Sequence, residues 1–249
     1  MATFTRTDEL RGARFVGVSL RGARFVESDL SEVVMRGVDV GGADIDAPWL
    51  PDGTFLVNGV DVTPFVEAEL DHRFPGREQR RASDPAGLRA AWDALERTWD
   101  ATVERAAQMP VGTVDVSVDG EWSFAQTLRH LVHATDVWLR KAVLQVEQPF
   151  HPLGQADSSA ADEAGVPAPV TDPPPFAEVL DVRAGHVAMV RDFLATVTPD
   201  ELAAERRNPH DPEQPETVLS CLQVILEEEW EHHRFAVRDL DTLAGAGQA

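Results

Sequence analysis

At 249 residues the chain has room for one large domain or two small ones, and 43% apolar side chains are enough to bury a core. A single cysteine, Cys221, excludes an intramolecular disulfide, and no apolar run approaches the ~18 residues of a membrane span. The formal charge of −21, from 43 acidic and 22 basic residues, sets up a field that repels nucleic acid and anionic membranes. The first residues lack the basic start and apolar middle of a signal peptide, so a soluble, cytoplasmic protein is expected.

A period of five runs through the first segment: Leu10, Phe15, Leu20, Phe25, Leu30, Met35, Val40, Ile45 and Leu50. Two places before most of these stands a small or modest residue, such as Ala13, Ala23, Ser28 or Ala43. Neither the helical period of 3.6 nor the strand period of 2 produces this spacing. It resembles the pentapeptide-repeat family, which implies a right-handed, four-sided β-helix over residues 1–60. In such a coil the large residue points into a narrow axis, and stacked coils bury a continuous core. Eight or nine repeats make about two coils, close to the minimum for a solenoid, so this segment is expected to lean on another element. Long acidic members of that family mimic DNA. Here Arg6, Arg11, Arg14, Arg21, Arg24 and Arg36 spoil an acidic face, which leaves a structural cap or oligomerisation surface and keeps a homodimer open.

Residues 61–83 read as a helical connector, from the helix-like Phe65–Leu70 to the charged stretch ending at Arg81. Four amphipathic helices follow over 84–249, so the fold class is α+β: a short β-helix followed by a four-helix bundle. The first helix opens at Asp84-Pro85 and shows Leu88, Trp92, Leu95, Trp99 and Val103 on one face. The second starts at the N-cap Ser123 and runs to about Glu147. A proline-rich crossover, 148–175, includes Pro152, Pro167 and Pro169 and leads to a third helix over about 176–197. A loop with Pro209, Pro212 and Pro215 precedes the last helix, about 216–243.

Metal-capable side chains concentrate on two of these helices. The second carries His130, His133 and Asp136, and the last carries Glu227-Glu228-Glu229-Trp230-Glu231-His232-His233. Glu228 with His232, or Glu229 with His233, would lie one turn and ~6 Å apart on a single face. A histidine from the second helix would complete a three-ligand set. Two imidazoles and a carboxylate suit zinc, with nickel or manganese as other candidates, and leave positions open for water or substrate. Helix phase alone admits both pairs, since Glu229 and His233 sit in mid-stripe with Leu222, Leu226, Ala236 and Leu240.

Trp122-Ser123, His130-Leu131 eight residues after that tryptophan, and a late i, i+4 pair are similar to the DinB/YfiT-like family. The likeness covers about 84–243 and implies a four-helix bundle holding one divalent metal through three residues. That family's register favours His130, Glu228 and His232, with Glu229 and His233 as the alternative. A glutamate where the commoner pattern has histidine resembles the mycothiol-dependent maleylpyruvate isomerase branch. The resemblance implies a thiol S-transferase using a low-molecular-weight thiol cosubstrate, or a small-molecule hydrolase or isomerase. The substrate would enter beside the 148–175 loop as under a lid. His133 is assigned to packing or second-layer support, Asp136 to orienting an imidazole, and Cys221 to an inert buried position. No general base or nucleophile beyond the metal set stands out, so catalytic residues are left unassigned. The competing reading is a non-enzymatic binding or scaffold protein with a degenerate site and a repeat that serves as an interaction surface.

Overall fold

Residues 47–84 join the two patterned regions through short elements whose order follows turn chemistry. A computed structural model describes residues 2–5, 7–157, 165–167, 172–211 and 213–246; Arg6, Pro169, Pro212 and much of the expected lid fall outside them. The chain divides into two compact units, Met1–Asp46 and Ala47–Ala249. Residues 47–60, which the five-residue spacing placed with the repeat, thus belong to the second unit, where Pro48 and Pro51 interrupt the pattern.

In the first unit each pentapeptide turns at a left-handed residue two places after its large centre: Gly12, Gly17, Gly22, Glu27, Glu32, Gly37 and Gly42. Glycine fills five of these seven positions because it alone meets no steric penalty there. Backbone bonds such as Ala13 N to Leu10 O and Ala23 N to Leu20 O, both 2.9 Å, recur every ten residues and close four-residue turns. No strand is assigned among the described residues of this unit. The centres expected to point into a narrow axis are exposed instead, from 43% at Leu10 to 60% at Phe25. With only about two coils' worth of chain, each layer lacks the neighbours that would cover it.

The second unit opens on a 3-10 turn, Leu50–Asp52, followed by a hairpin, β1 (Leu56–Val57) against β2 (Val60–Asp61), turned at Asn58-Gly59. Helix α1 (Thr63–Arg73) follows, and then a short 3-10 turn, Arg77–Arg81. That charged connector is tied down rather than solvated. Arg77 is buried and pairs with Glu67, Asp71 and Glu231, while Arg80 pairs with Glu67 and Asp71.

Four helices make the core. Helix α2 (Pro85–Ala107) starts where the Asp84 side chain accepts from Ala86 N and Gly87 N. Helix α3 (Phe124–Thr135) opens on a reciprocal capping box between Ser123 and Gln126. It then continues as a π-helical segment, Asp136–Val143, where an uninterrupted α-helix to Glu147 was expected. Helix α4 (Phe176–Thr196) and the single turn α5 (Pro199–Leu202) lead to a second hairpin, β3 (Glu205–Arg207) with β4 (Pro215–Thr217). Helix α6 (Val218–Ala246) closes the bundle against α2, α3 and α4's neighbour, the π-helical segment. Trp92, Leu95, Leu131, Val190, Leu226 and Trp230 are all buried between them. Cys221 lies in this core with no exposure, and burial pushes its thiol pKa up to about 11, as an inert position requires. Among the described residues no helix is long and apolar enough to cross a membrane.

Candidate metal centre

The Ser123 capping box sets the start of α3, so its phase turns His130 toward α6. There Glu228 and His232 stand one turn apart and face it. One ligand atom from each of His130, Glu228 and His232 lies within 4.8 Å of the other two. His130 Nε2 is 3.4 Å from Glu228 Oε2. Two ligands of one tetrahedral ion with bonds of about 2.1 Å are separated by about 3.4 Å, so this spacing fits a shared cation.

The outer nitrogens are already committed. His130 Nδ1 donates to the Gln155 carbonyl at 3.0 Å, and His232 Nδ1 donates to the Glu228 carbonyl at 2.9 Å. Each bond fixes a ring orientation; for His130 it leaves Nε2 as the atom to serve a ligand, while His232 Nδ1 also lies 3.4 Å from Glu228 Oε2. For His130 that atom can donate a proton to Glu228 or offer a lone pair to a cation, so proton and metal compete for one place.

Electrostatics favour the charge pattern a cation needs. Burial raises the cost of charge on Glu228, but the hydrogen bond from His130 and the fields of His232 and His130 outweigh it. Its pKa is held below the ordinary carboxylate value. Burial, reinforced by His130, lowers the pKa of His232 to about 4, which favours the neutral imidazole that metals bind. Trp122 covers the outside, with its ring 4.6 Å from that of His130 and stacked at 6.1 Å on that of His232.

The neighbouring pair is placed elsewhere. Glu229 is buried and takes both its oxygens to Arg183 of α4. His233 Nε2 lies 2.8 Å from Thr102 Oγ1, and its ring meets Phe74, Trp99 and Trp230 edge-on. These two are core residues here. His133 stacks on Phe150 of the crossover, with ring centres 5.4 Å apart.

Asp136 does orient an imidazole, but it is that of His186 on α4 and not one of the three. His186 Nε2 reaches Asp136 Oδ1 at 2.9 Å, Arg140 donates to the same oxygen, and His151 N donates to Oδ2 at 2.7 Å. Arg183 and His186 escaped the sequence reading, although a signal existed: both interrupt the buried line Val179, Val190, Leu194 at helical spacing. The crossover reaches the centre through Gln155. Residues 158–164 and 168–171 of the expected lid lie outside the described residues.

The sequence profile of the DinB superfamily matches residues 94–236, a span that contains His130, Glu228 and His232. A profile of pentapeptide repeats matches eight copies over residues 9–46. No curated protein and no solved structure matches the chain.

Proposed function

The chain belongs to the DinB superfamily, and from that premise we propose that His130, Glu228 and His232 hold one divalent cation in a metal-dependent enzyme acting on a small molecule. The observation that carries this reading is the convergence of three ligand atoms within 4.8 Å, with each imidazole oriented by a bond from its Nδ1 to a backbone carbonyl. Zinc suits two nitrogens and one oxygen best, ahead of nickel or manganese. A cation held there supplies Lewis acidity, which brings a bound water or thiol toward ionisation at neutral pH and polarises a carbonyl. The chain's own part is to hold and orient. Gln155 and the Glu228 carbonyl fix the imidazoles, and Trp122 keeps bulk water off one side.

Transfer of a low-molecular-weight thiol is the activity we favour, because a glutamate in the first late position is similar to the mycothiol-dependent branch. The test is thiol conjugation by purified protein, stripped of metal and then reloaded with zinc. Activity that ignores both treatments would remove the reading.

The first unit is better read as an assembly surface. Residues 10–25 carry Arg11, Arg14, Arg21 and Arg24 with no acid, whereas 26–46 carry Glu27, Asp29, Glu32, Asp39, Asp44 and Asp46 against Arg36 alone. Two copies laid antiparallel would match basic half to acidic half and cover the exposed row of Phe15, Leu20, Phe25 and Leu30. The scaffold alternative shares this surface and differs in having no metal, so elemental analysis separates the two.

A further inference from the structure

Four arginines of the second unit are almost wholly buried: Arg77, Arg80, Arg129 and Arg183. Three of them answer to carboxylates, Arg77 and Arg80 through Glu67 and Asp71, and Arg183 through Glu229. Arg129 is different. Among the described residues it meets no carboxylate: its Nε donates to the Leu153 carbonyl at 2.9 Å, and its Nη2 is buried with no hydrogen-bond partner. A buried charge without a counter-charge is costly, and a ligand of opposite charge would remove that cost.

Its position suits a ligand of the neighbouring centre. Arg129 and His130 are consecutive on α3, and both side chains hang on the same strap of the crossover. Arg129 holds the Leu153 carbonyl and His130 the Gln155 carbonyl, while Gln155 N returns a bond to the Arg129 carbonyl at 3.0 Å. Two residues of chain span at most about 7 Å, so the guanidinium and the ligand imidazole are anchored at neighbouring points.

We propose that Arg129 is a carboxylate-recognition residue, taking the acid group of a small molecule whose reactive end lies at His130, Glu228 and His232. This rests on the metal reading above and adds a substrate class to it. A carboxylate matches the guanidinium fork with two oxygens and cancels its single charge, whereas a phosphate dianion would leave one negative charge buried.

The experiment compares wild type with Arg129→Met, Arg129→Lys and Arg183→Met as full-length, zinc-loaded proteins, using succinate and its neutral diamide as probes. Arg129→Met removes an uncompensated charge together with one bond to the Leu153 carbonyl, so it should melt much closer to wild type than Arg183→Met, which strips buried Glu229 of its charge partner. Wild type should bind succinate and not the diamide, Arg129→Met should bind succinate at least about tenfold more weakly, and Arg129→Lys should fall between. Zinc content should be unchanged in both Arg129 variants. The proposal is overturned if Arg129→Met destabilises as Arg183→Met does, or if succinate binds neither protein or both alike. Should zinc never bind while succinate still discriminates at Arg129, the metal reading fails and this one stands.

Discussion

Glu228 and Glu229 are adjacent in sequence, yet one faces His130 across the candidate centre and the other is locked to Arg183 in the core. A substitution at each should therefore read out differently. Glu228→Ala, like His130→Ala and His232→Ala, should abolish stoichiometric zinc in elemental analysis while leaving the fold intact. Glu229→Gln should keep zinc but lose about 3–5 kcal/mol in urea denaturation, because Arg183 is left buried without its charge partner.

His233 gives the protein an acid sensitivity of its own. Burial lowers its pKa to about 4, below the ordinary value of 6.5. The unfolded chain thus binds more protons between these values, so stability is full above about pH 6.5 and falls as pH drops toward 4. Between pH 7.5 and 5 the loss from this residue should be about 2 kcal/mol. Urea midpoints measured across that range should fall for wild type, and the slope should flatten in His233→Phe.

Cys221 should be chemically silent in the native state. With its thiol fully enclosed and its pKa pushed up to about 11, almost no thiolate exists at pH 8. Alkylation by iodoacetamide at that pH should proceed only after denaturant is added; fast labelling of the folded protein would contradict the burial.

The charge halves of the repeat make self-association sensitive to salt. Sedimentation should show a dimer at low ionic strength that weakens as salt rises toward 1 M, where charges more than ~3 Å apart are screened. Arg21→Glu with Arg24→Glu should dissociate it, and adding Glu27→Arg with Asp29→Arg should restore it.

Much of this was readable from local rules. Asp84-Pro85 and Ser123 mark helix starts because capping is a matter of a few adjacent residues, and the structure places α2 and α3 there. The mainly helical second region with its repeat segment likewise follows from periodicity. What escaped depends on partners far along the chain. Nothing within Arg77–Arg81 announces that Arg77 would be buried, since Glu231 lies 154 residues away. Both late pairs have the same spacing, and Arg183 on α4 is what draws Glu229 inward. The π-helical segment after Thr135 has no simple propensity signature, and its first residue, Asp136, is held by side chains and backbone from α4 and the crossover.

That knot at Asp136 holds the crossover in place. The stretch from His151 to Gln155 is bolted at one end to a carboxylate with no exposure and at the other to α3 through Arg129 and His130. Swinging it open would strip a backbone partner from the Asp136 carboxylate and break three bonds to α3 together, which makes it a fixed wall rather than a door. A molecule held at the three ligands would therefore meet a boundary of set shape along His151–Gln155, and selection there would come from fit and not from closure.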